Sequence, residues 1–425
     1  MSIILILYFL LNNVYSQLYW IDYPSPTQKK LTKSLFVDSL YGWVIGDSGI
    51  VIKTSNGGTN WNIEPCGVSG SELRDITFIS RNTGWIISVD STYKTFILQT
   101  TNSGLNWVKT YFPDTTTILN TIFFIDNSTG YVSGFSGRIY KTSNNGLNWN
   151  ECYIDTTGCL YLFPKNDIYF IDSQTGFACG GVIELQGIFV KTTNGGNSWF
   201  SMCISPEPLN EILYLGSGKI ALMGGDYDLG SIYGISTNSG SNWQYGQTGC
   251  FGNATAFAFR TPAEVWAALS FSGKFAVNLD SMKPGSRWEC ISTPDNIAIN
   301  SIEFLSEYIG YAFGNSGKIF KYNENVIGLQ SNNNNNIPRY NALYQNYPNP
   351  FNPFTLIEYY ISEPADVYIK IYDVTGKEIR SYSEGYRSKG NYSLSFNAEE
   401  LPSAVYYYSL ATNTETISRK MVLIK

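Results

Sequence analysis

The sequence predicts an all-β chain: a seven-bladed β-propeller closed by its own N-terminal strand, followed by a small C-terminal Ig-like β-sandwich. Three observations predict it. The composition is 16% aromatic and only 15% charged, with 39 Gly and no long Leu/Ala/Glu/Lys periodicity; aromatic residues and Thr favour strands. A turn of the form Ser/Thr-x-Asn-x-Gly-x-x-Trp occurs five times at near-regular intervals. Beyond a polar tract, short alternating strands resume under a different set of motifs.

Residues 1–16, M-S-I-I-L-I-L-Y-F-L-L-N-N-V-Y-S, are an apolar block too short to span a bilayer. Small residues at Val14 and Ser16 suit cleavage before Gln17, so the block reads as a secretory signal peptide. Only the amino group supplies positive charge at its start. No other segment is apolar and long enough to become a transmembrane helix.

Residues 17–327 carry the repeat. Its fixed residues are Asn56, Gly58 and Trp61; Asn102, Gly104 and Trp107; Asn144, Gly146 and Trp149; Asn194, Gly196 and Trp199; Asn238, Gly240 and Trp243. A worn copy ends at Trp288. The tryptophans are 46, 42, 50, 44 and 45 residues apart. Before each turn stands a Gly-aromatic strand start, as in Gly42-Trp43, Gly84-Trp85, Gly130-Tyr131, Gly176-Phe177 and Gly310-Tyr311; Gly218-Lys219 and Val265-Trp266 fill two weaker slots. Seven units of four short strands follow, the period of a propeller blade. In the third unit the strands fall near 121–125, 131–134, 138–142 and 149–153. The last unit stops at K-I-F-K-Y (318–322), short of a fourth strand. Trp20 precedes Gly42 by 22 residues, as Trp61 precedes Gly84 by 23. The segment 18–21 is therefore expected to complete the seventh sheet.

The string G-D-S-G at 46–49 is not a protease signature here. The chain has no histidine to activate Ser48. The same turn returns as G-F-S-G (134–137) and G-N-S-G (314–317), which makes it a hairpin between second and third strands. Phe259-Arg260-Thr261-Pro262 likewise falls where other units carry turns. Seven cysteines without histidine or C-x-x-C spacing argue against a zinc site and point to no metal. Cys152 and Cys159 could close a short loop, although buried thiols are the simpler reading. No cofactor motif is present. The net charge of −6 and the absence of basic runs argue against nucleic acid.

In an up-and-down ring, the second-to-third hairpins share one face with the links between units. The most varied segments lie there, and loops on a rigid scaffold are where recognition sits. The candidate ligand residues are Asp47, Asp90, Tyr93, Glu184, Asp226, Tyr227 and Asp228, with Arg74 at the start of a first strand. No catalytic residue is assigned.

Residues 328–339, rich in asparagine, read as a linker. Residues 340–425 open on Y-Q-N-Y-P-N-P-F-N-P (344–353), including Tyr347, Pro348, Asn349 and Pro350. They continue through I-Y-D-V-T-G-K-E-I and L-P-S-A to a terminal K-M-V-L-I-K.

Two resemblances follow. The Gly-Trp start with Lys-Thr-x-Asn-Gly-Gly-x-x-Trp resembles the BNR, or Asp-box, repeat of photosystem II assembly factor-like propellers, with Asn at the acidic position. Residues 340–425 resemble the type A C-terminal sorting domain of type IX secretion, with Ala404 where that family carries Gly. The second resemblance implies export by the type IX machinery as a partner, after a signal peptide, and a secreted or outer-membrane, cell-surface location. The expected function is a non-catalytic scaffold binding protein or glycan. The alternative is a glycoside hydrolase of the Asp-box type, which needs two carboxylates in one pocket.

Overall fold

The computed structural model describes residues 19–159, 162–323, 341–344, 346, 349, 351–413 and 416–423. The apolar block 1–16, the linker 328–339 and Tyr347, Pro348 and Pro350 lie outside the described residues. The chain divides into two compact units, Met1–Val326 and Ile327–Lys425.

Within the first unit, residues 20–322 form seven sheets, each built on a four-strand antiparallel meander. They span 31–63, 72–111, 119–151, 165–205, 209–247, 253–292 and 299–322. The first strands stand side by side in chain order, and the seventh (Ile299–Phe304) returns beside the first (Leu31–Phe36). Trp20–Tyr23 pairs antiparallel with Ile319–Tyr322, Trp20 opposite Tyr322, and so supplies the fourth strand that the last sheet lacks. Trp20 is buried against Trp266, Phe275, Phe304 and Tyr322. The ends of the ring are thereby zipped together, leaving no open edge between last and first sheets.

The Gly-aromatic pair has a packing cause. A Cβ on Gly84 would stand 2.4 Å from the Phe78 ring of its own sheet. Without it, Phe78 lies flat on the backbone and receives Trp43 of the preceding sheet at 3.9 Å between ring centres. Trp85 on Phe124 (3.7 Å) and Tyr131 on Phe170 (4.1 Å) repeat the stack, with Gly130 and Gly176 beneath the phenylalanines. Stacked pairs of this kind add about 0.5–1.5 kcal/mol beyond burial. Gly84→Ala is expected to cost about 1–3 kcal/mol by overpacking. A denaturation midpoint equal to that of the parent would refute this packing account.

The recurrent turn is a hydrogen-bond unit. Thr54 Oγ1 accepts the Gly58 N–H (2.8 Å) and donates to Asn56 Oδ1 (3.0 Å), which accepts the Asn60 N–H (2.9 Å). Thr100, Thr142, Thr192 and Ser236 do the same in the other four copies. Gly58 has φ +82°, open to glycine at little cost. The lysine before Thr reaches the next sheet: Lys53 Nζ to the Ser103 carbonyl (2.8 Å), Lys141 to Gly195 (2.6 Å) and Lys191 to Ser239 (2.7 Å). Trp61 then packs edge-on against Tyr311 and Phe313 of the neighbouring sheet. The motif K-T-x-N-x-G-x-x-W thus joins sheets as well as turning strands.

Ser48 (φ 60°) and Ser316 (φ 56°) sit in matching 3₁₀ turns between second and third strands, consistent with a hairpin role. Arg260 is held by Glu264 and donates to the Glu307 carbonyl (2.9 Å), a structural part of its turn.

Two features differ from the sequence reading. The stretch 149–153 is not one strand. Asn150–Glu151 ends the third sheet, and Tyr153–Asp155 crosses over to pair in parallel with Ser198–Phe200 of the fourth. The break falls at Cys152, whose side chain is buried while its N–H donates to the Ile139 carbonyl (2.8 Å). Nor do Cys152 and Cys159 pair. Cys159 bonds Cys203, and Cys250 bonds Cys290, while Cys66, Cys152 and Cys179 are buried thiols. Both bridges tie a link between sheets to the outer strand of the sheet it enters, a geometry set by crossing chains rather than by sequence proximity.

The second unit has two sheets. One orders Ala342–Leu343, Phe354–Ile361 and Gly390–Asn397; the other orders Glu378–Arg387, Ala365–Tyr372, Ala404–Ala411 and Thr416–Leu423. Ile357, Ile361, Val367, Ile369, Phe396, Tyr408 and Met421 form its core. The two ends of the motif set meet here. Asn349 Oδ1 accepts the Val422 N–H (2.7 Å), and the Phe351 N–H donates to the Val422 carbonyl (2.9 Å).

Candidate functional site

Each first strand carries a bulge near its start, and the bulged residues form a polar ring around the axis. Most donate to a backbone carbonyl of the next sheet: Thr32 to Leu73 (3.3 Å), Asn120 to Lys165 (3.4 Å), Asn166 to Leu209 (3.0 Å), Asn210 to Ala254 (2.9 Å) and Asn300 to Leu31 (2.8 Å). One residue further, Asp75 accepts the Ile122 N–H (2.8 Å), Asp167 the Ile212 N–H (2.8 Å) and Glu211 the Phe257 N–H (2.6 Å), each from the following sheet.

The first sheet breaks this series with a lysine. Lys33 Nζ, from the first strand of the first sheet, meets Glu211 Oε1 of the fifth at 2.8 Å. The ion pair reaches across the ring from the first sheet to the fifth. Burial alone would push the Lys33 ammonium down; Glu211, Asp167 and Asp75 more than reverse this and hold it well above its ordinary value. Burial pushes Asp167 up to about 7, with Glu211 and Asp75 adding and Lys33 opposing. Glu303 rises to about 8 by burial and the charge of Glu211. A quarter of the Lys33 side chain (26%) is nonetheless accessible, so the channel has a wet side. These residues were missed in the sequence, where each lies among other polar residues of its strand, as Lys33 does between Thr32 and Ser34.

Lys165 is a second buried ammonium. It occupies the place held by Leu31, Leu73, Leu119, Leu209, Ala254 and Ile299 in the other first strands. Its Nζ donates to the carbonyls of Gly137 (2.7 Å) and Phe163 (2.8 Å), and burial lowers its pKa to about 7. A lysine depressed below 10.5 destabilises the fold below that pH, most fully below about 7. Lys165→Met is therefore expected to raise the unfolding midpoint more at pH 6 than at pH 10. An equal effect at both would contradict a buried ammonium.

The hairpin face holds the residues singled out in the sequence. Asp90 organises its own turn: its Oδ1 accepts from the Thr92 hydroxyl (2.7 Å) and the Lys94 N–H (3.1 Å), and the Thr92 bond above all lowers its pKa to about 2. Tyr93, in the same turn, is exposed with φ 62°. Glu184 is exposed, with φ 60°, and its N–H donates to buried Glu207 (3.2 Å). Asp226 is buried and accepts the Asp228 N–H (2.6 Å). Tyr227, between them, packs edge-on against Phe271 of the next sheet at 4.6 Å. Asp47 opens the first hairpin, its N–H on the Lys30 carbonyl (3.0 Å). Arg74 bonds Asn120 (2.8 Å) and Glu72 (3.1 Å), which fixes it at the channel rim. The structure thus brings Asp226, Tyr227 and Asp228 together, and Asp90 with Tyr93. Asp47, Asp90, Glu184 and Asp226 stand on four separate hairpins. Tyr227 stood among the sequence candidates, whereas Phe271 did not; its apolar side chain at a hairpin tip was the available signal.

Residues 12–161 match the family described as photosynthesis system II assembly factor YCF48, and residues 345–425 match the secretion system C-terminal sorting domain. No curated protein matches the chain. Three solved structures share the fold. YCF48 bound to D1 peptide is 20% identical, with a TM-score of 0.55 over 72% of this chain and 96% of that one. YCF48 from Cyanidioschyzon merolae is 19% identical, with a TM-score of 0.56 over 72% and 99%. The GH74 enzyme of Niastella koreensis is 11% identical, with a TM-score of 0.55 over 96% and 74%. The type IX sorting tail marks the chain for export to the cell surface or beyond it, and no helix among the described residues is long and apolar enough to cross a membrane. Residues 12–161 are thus similar to the YCF48-like BNR repeat propellers, and residues 345–425 to the type IX secretion C-terminal sorting domains.

Proposed function

We propose that this exported protein is a non-catalytic binding scaffold, its ligand a protein or glycan held on the hairpin face. The observation that carries the reading is the distribution of exposed apolar side chains. Tyr93, Phe135, Leu185, Tyr227, Leu229 and Phe271 all stand exposed at second-to-third hairpins. Such a concentration on one face of a soluble ring marks a contact surface. The candidate acids support it: Asp90 and Asp226 accept bonds from their own turns, which suits shaping a surface better than proton transfer.

In this reading, residues 1–16 are removed at export, 17–327 form the binding ring, 328–339 tether it, and 340–425 engage the type IX machinery. N-terminal sequencing of the secreted protein is expected to begin at Gln17. The test of activity is incubation of the purified exported chain with a panel of polysaccharides. No reducing ends are expected. Release abolished by Glu184→Gln or Asp228→Asn would establish a glycoside hydrolase instead.

A further inference from the structure

On that binding reading, we infer that the hairpin tips of the fourth, fifth and sixth sheets form an acidic, apolar ledge for a protein segment carrying apolar side chains flanked by lysine or arginine. Three independent features meet there.

The first is strain without internal return. Phe271 has φ +68° and is 76% exposed. A bulky side chain in the left-handed region is an outlier, and outliers gather at functional sites. The first and seventh hairpins, G-D-S-G and G-N-S-G, have their left-handed residue at the serine before glycine, whereas the sixth, S-F-S-G, has it one residue earlier, at Phe271. The exposed ring lies outside the buried core.

The second is preorganisation. Phe271 meets Tyr227 edge-to-face at 4.6 Å across two sheets, yet both rings stay exposed. Leu185, Leu229 and Phe251 extend the exposed apolar surface on the same side. Aliphatic side chains beside aromatic ones suit apolar peptide groups.

The third is charge. The three tips, 182–187, 226–230 and 270–274, carry Glu184, Asp226 and Asp228 against the single Lys274. Glu184 and Asp228 are exposed. Opposite charge on the partner steers its approach and fixes its register.

Selection of a phage-displayed random dodecapeptide library on the purified exported chain tests the proposal, with a glycan array run in parallel. Enriched peptides are expected to combine apolar residues with Lys or Arg and to bind more weakly as salt is raised. Phe271→Gly is expected to weaken the best peptide at least tenfold while its unfolding midpoint stays level or rises, since glycine relieves the strained turn. Leu147→Ser, on the opposite face, is expected to leave binding unchanged. Unchanged affinity in Phe271→Gly, enrichment of acidic or wholly polar peptides, or glycan binding without peptide binding would overturn this inference and leave the scaffold reading intact. Binding of neither peptides nor glycans would sink both.

Discussion

Removal of residues 340–425 is expected to leave the protein inside the cell, in the periplasm, while the full chain reaches the surface or the medium. The effect is all-or-none in kind, because the sorting domain is a separate compact unit with its own core. Fractionation with an antibody to the first unit reads the outcome. The truncated chain also tests folding, since the ring closes upon itself through Trp20–Tyr23 and Ile319–Tyr322 and uses no strand of the second unit. Normal secretion of the truncated form would refute the role of the tail. A finer version is Asn349→Ala, which removes the acceptor for the Val422 N–H and loosens the terminal strand.

Lys33→Met is expected to lower stability by about 3 kcal/mol, the low end for breaking a buried pair, because the partly wet channel softens the loss. Glu211 would lose its ion pair, and Asp75, Asp167 and Glu303 the ammonium among them. Adding Glu211→Leu is expected to recover much of the deficit, since an apolar pair is often no worse than a buried ionic one. The pH dependence follows from the raised carboxyls. Asp167 at about 7 and Glu303 at about 8 bind protons more tightly folded than unfolded. Their contribution to stability is greatest below the ordinary carboxyl range, and it is lost as pH rises through 7 and 8. The midpoint should thus fall between pH 5 and pH 9, and fall further in Lys33→Met, where no ammonium opposes the rise. A flat profile in both proteins would dismiss the cluster as solvated.

The ring was legible because its determinants are local and repeated. Gly84 under Phe78 and Thr54 with Asn56 are short-range necessities that recur at each turn of the period. Closure was legible from spacing alone, since Trp20 stands before Gly42 as Trp61 stands before Gly84. The channel was not. Lys33 and Glu211 are 178 residues apart, and each stands beside other polar residues of its strand, Thr32 and Ser34 by the one and Asn210 by the other. Only alignment of all seven bulges sets them in one layer. The parallel strand Tyr153–Asp155 and the bridge from Cys159 to Cys203 were hidden for a related reason. They depend on where a link crosses, and a repeat motif fixes turns rather than links. On the hairpin face the charged residues were visible, but several proved to bond within their own turns. The exposed rings of Tyr227 and Phe271 gain meaning only when two sheets bring them together.

Closure of the ring by the N-terminal strand is best tested by a crosslink. Ile21 and Lys321 are direct partners in the antiparallel pair, at a spacing that accepts a disulfide. The account predicts that Ile21→Cys with Lys321→Cys forms an intramolecular bond under mild oxidation in the folded, exported protein, and that Ile21→Cys with Ile319→Cys does not. Failure of the first pair to link, or equal linking of both, would contradict a strand held in this register.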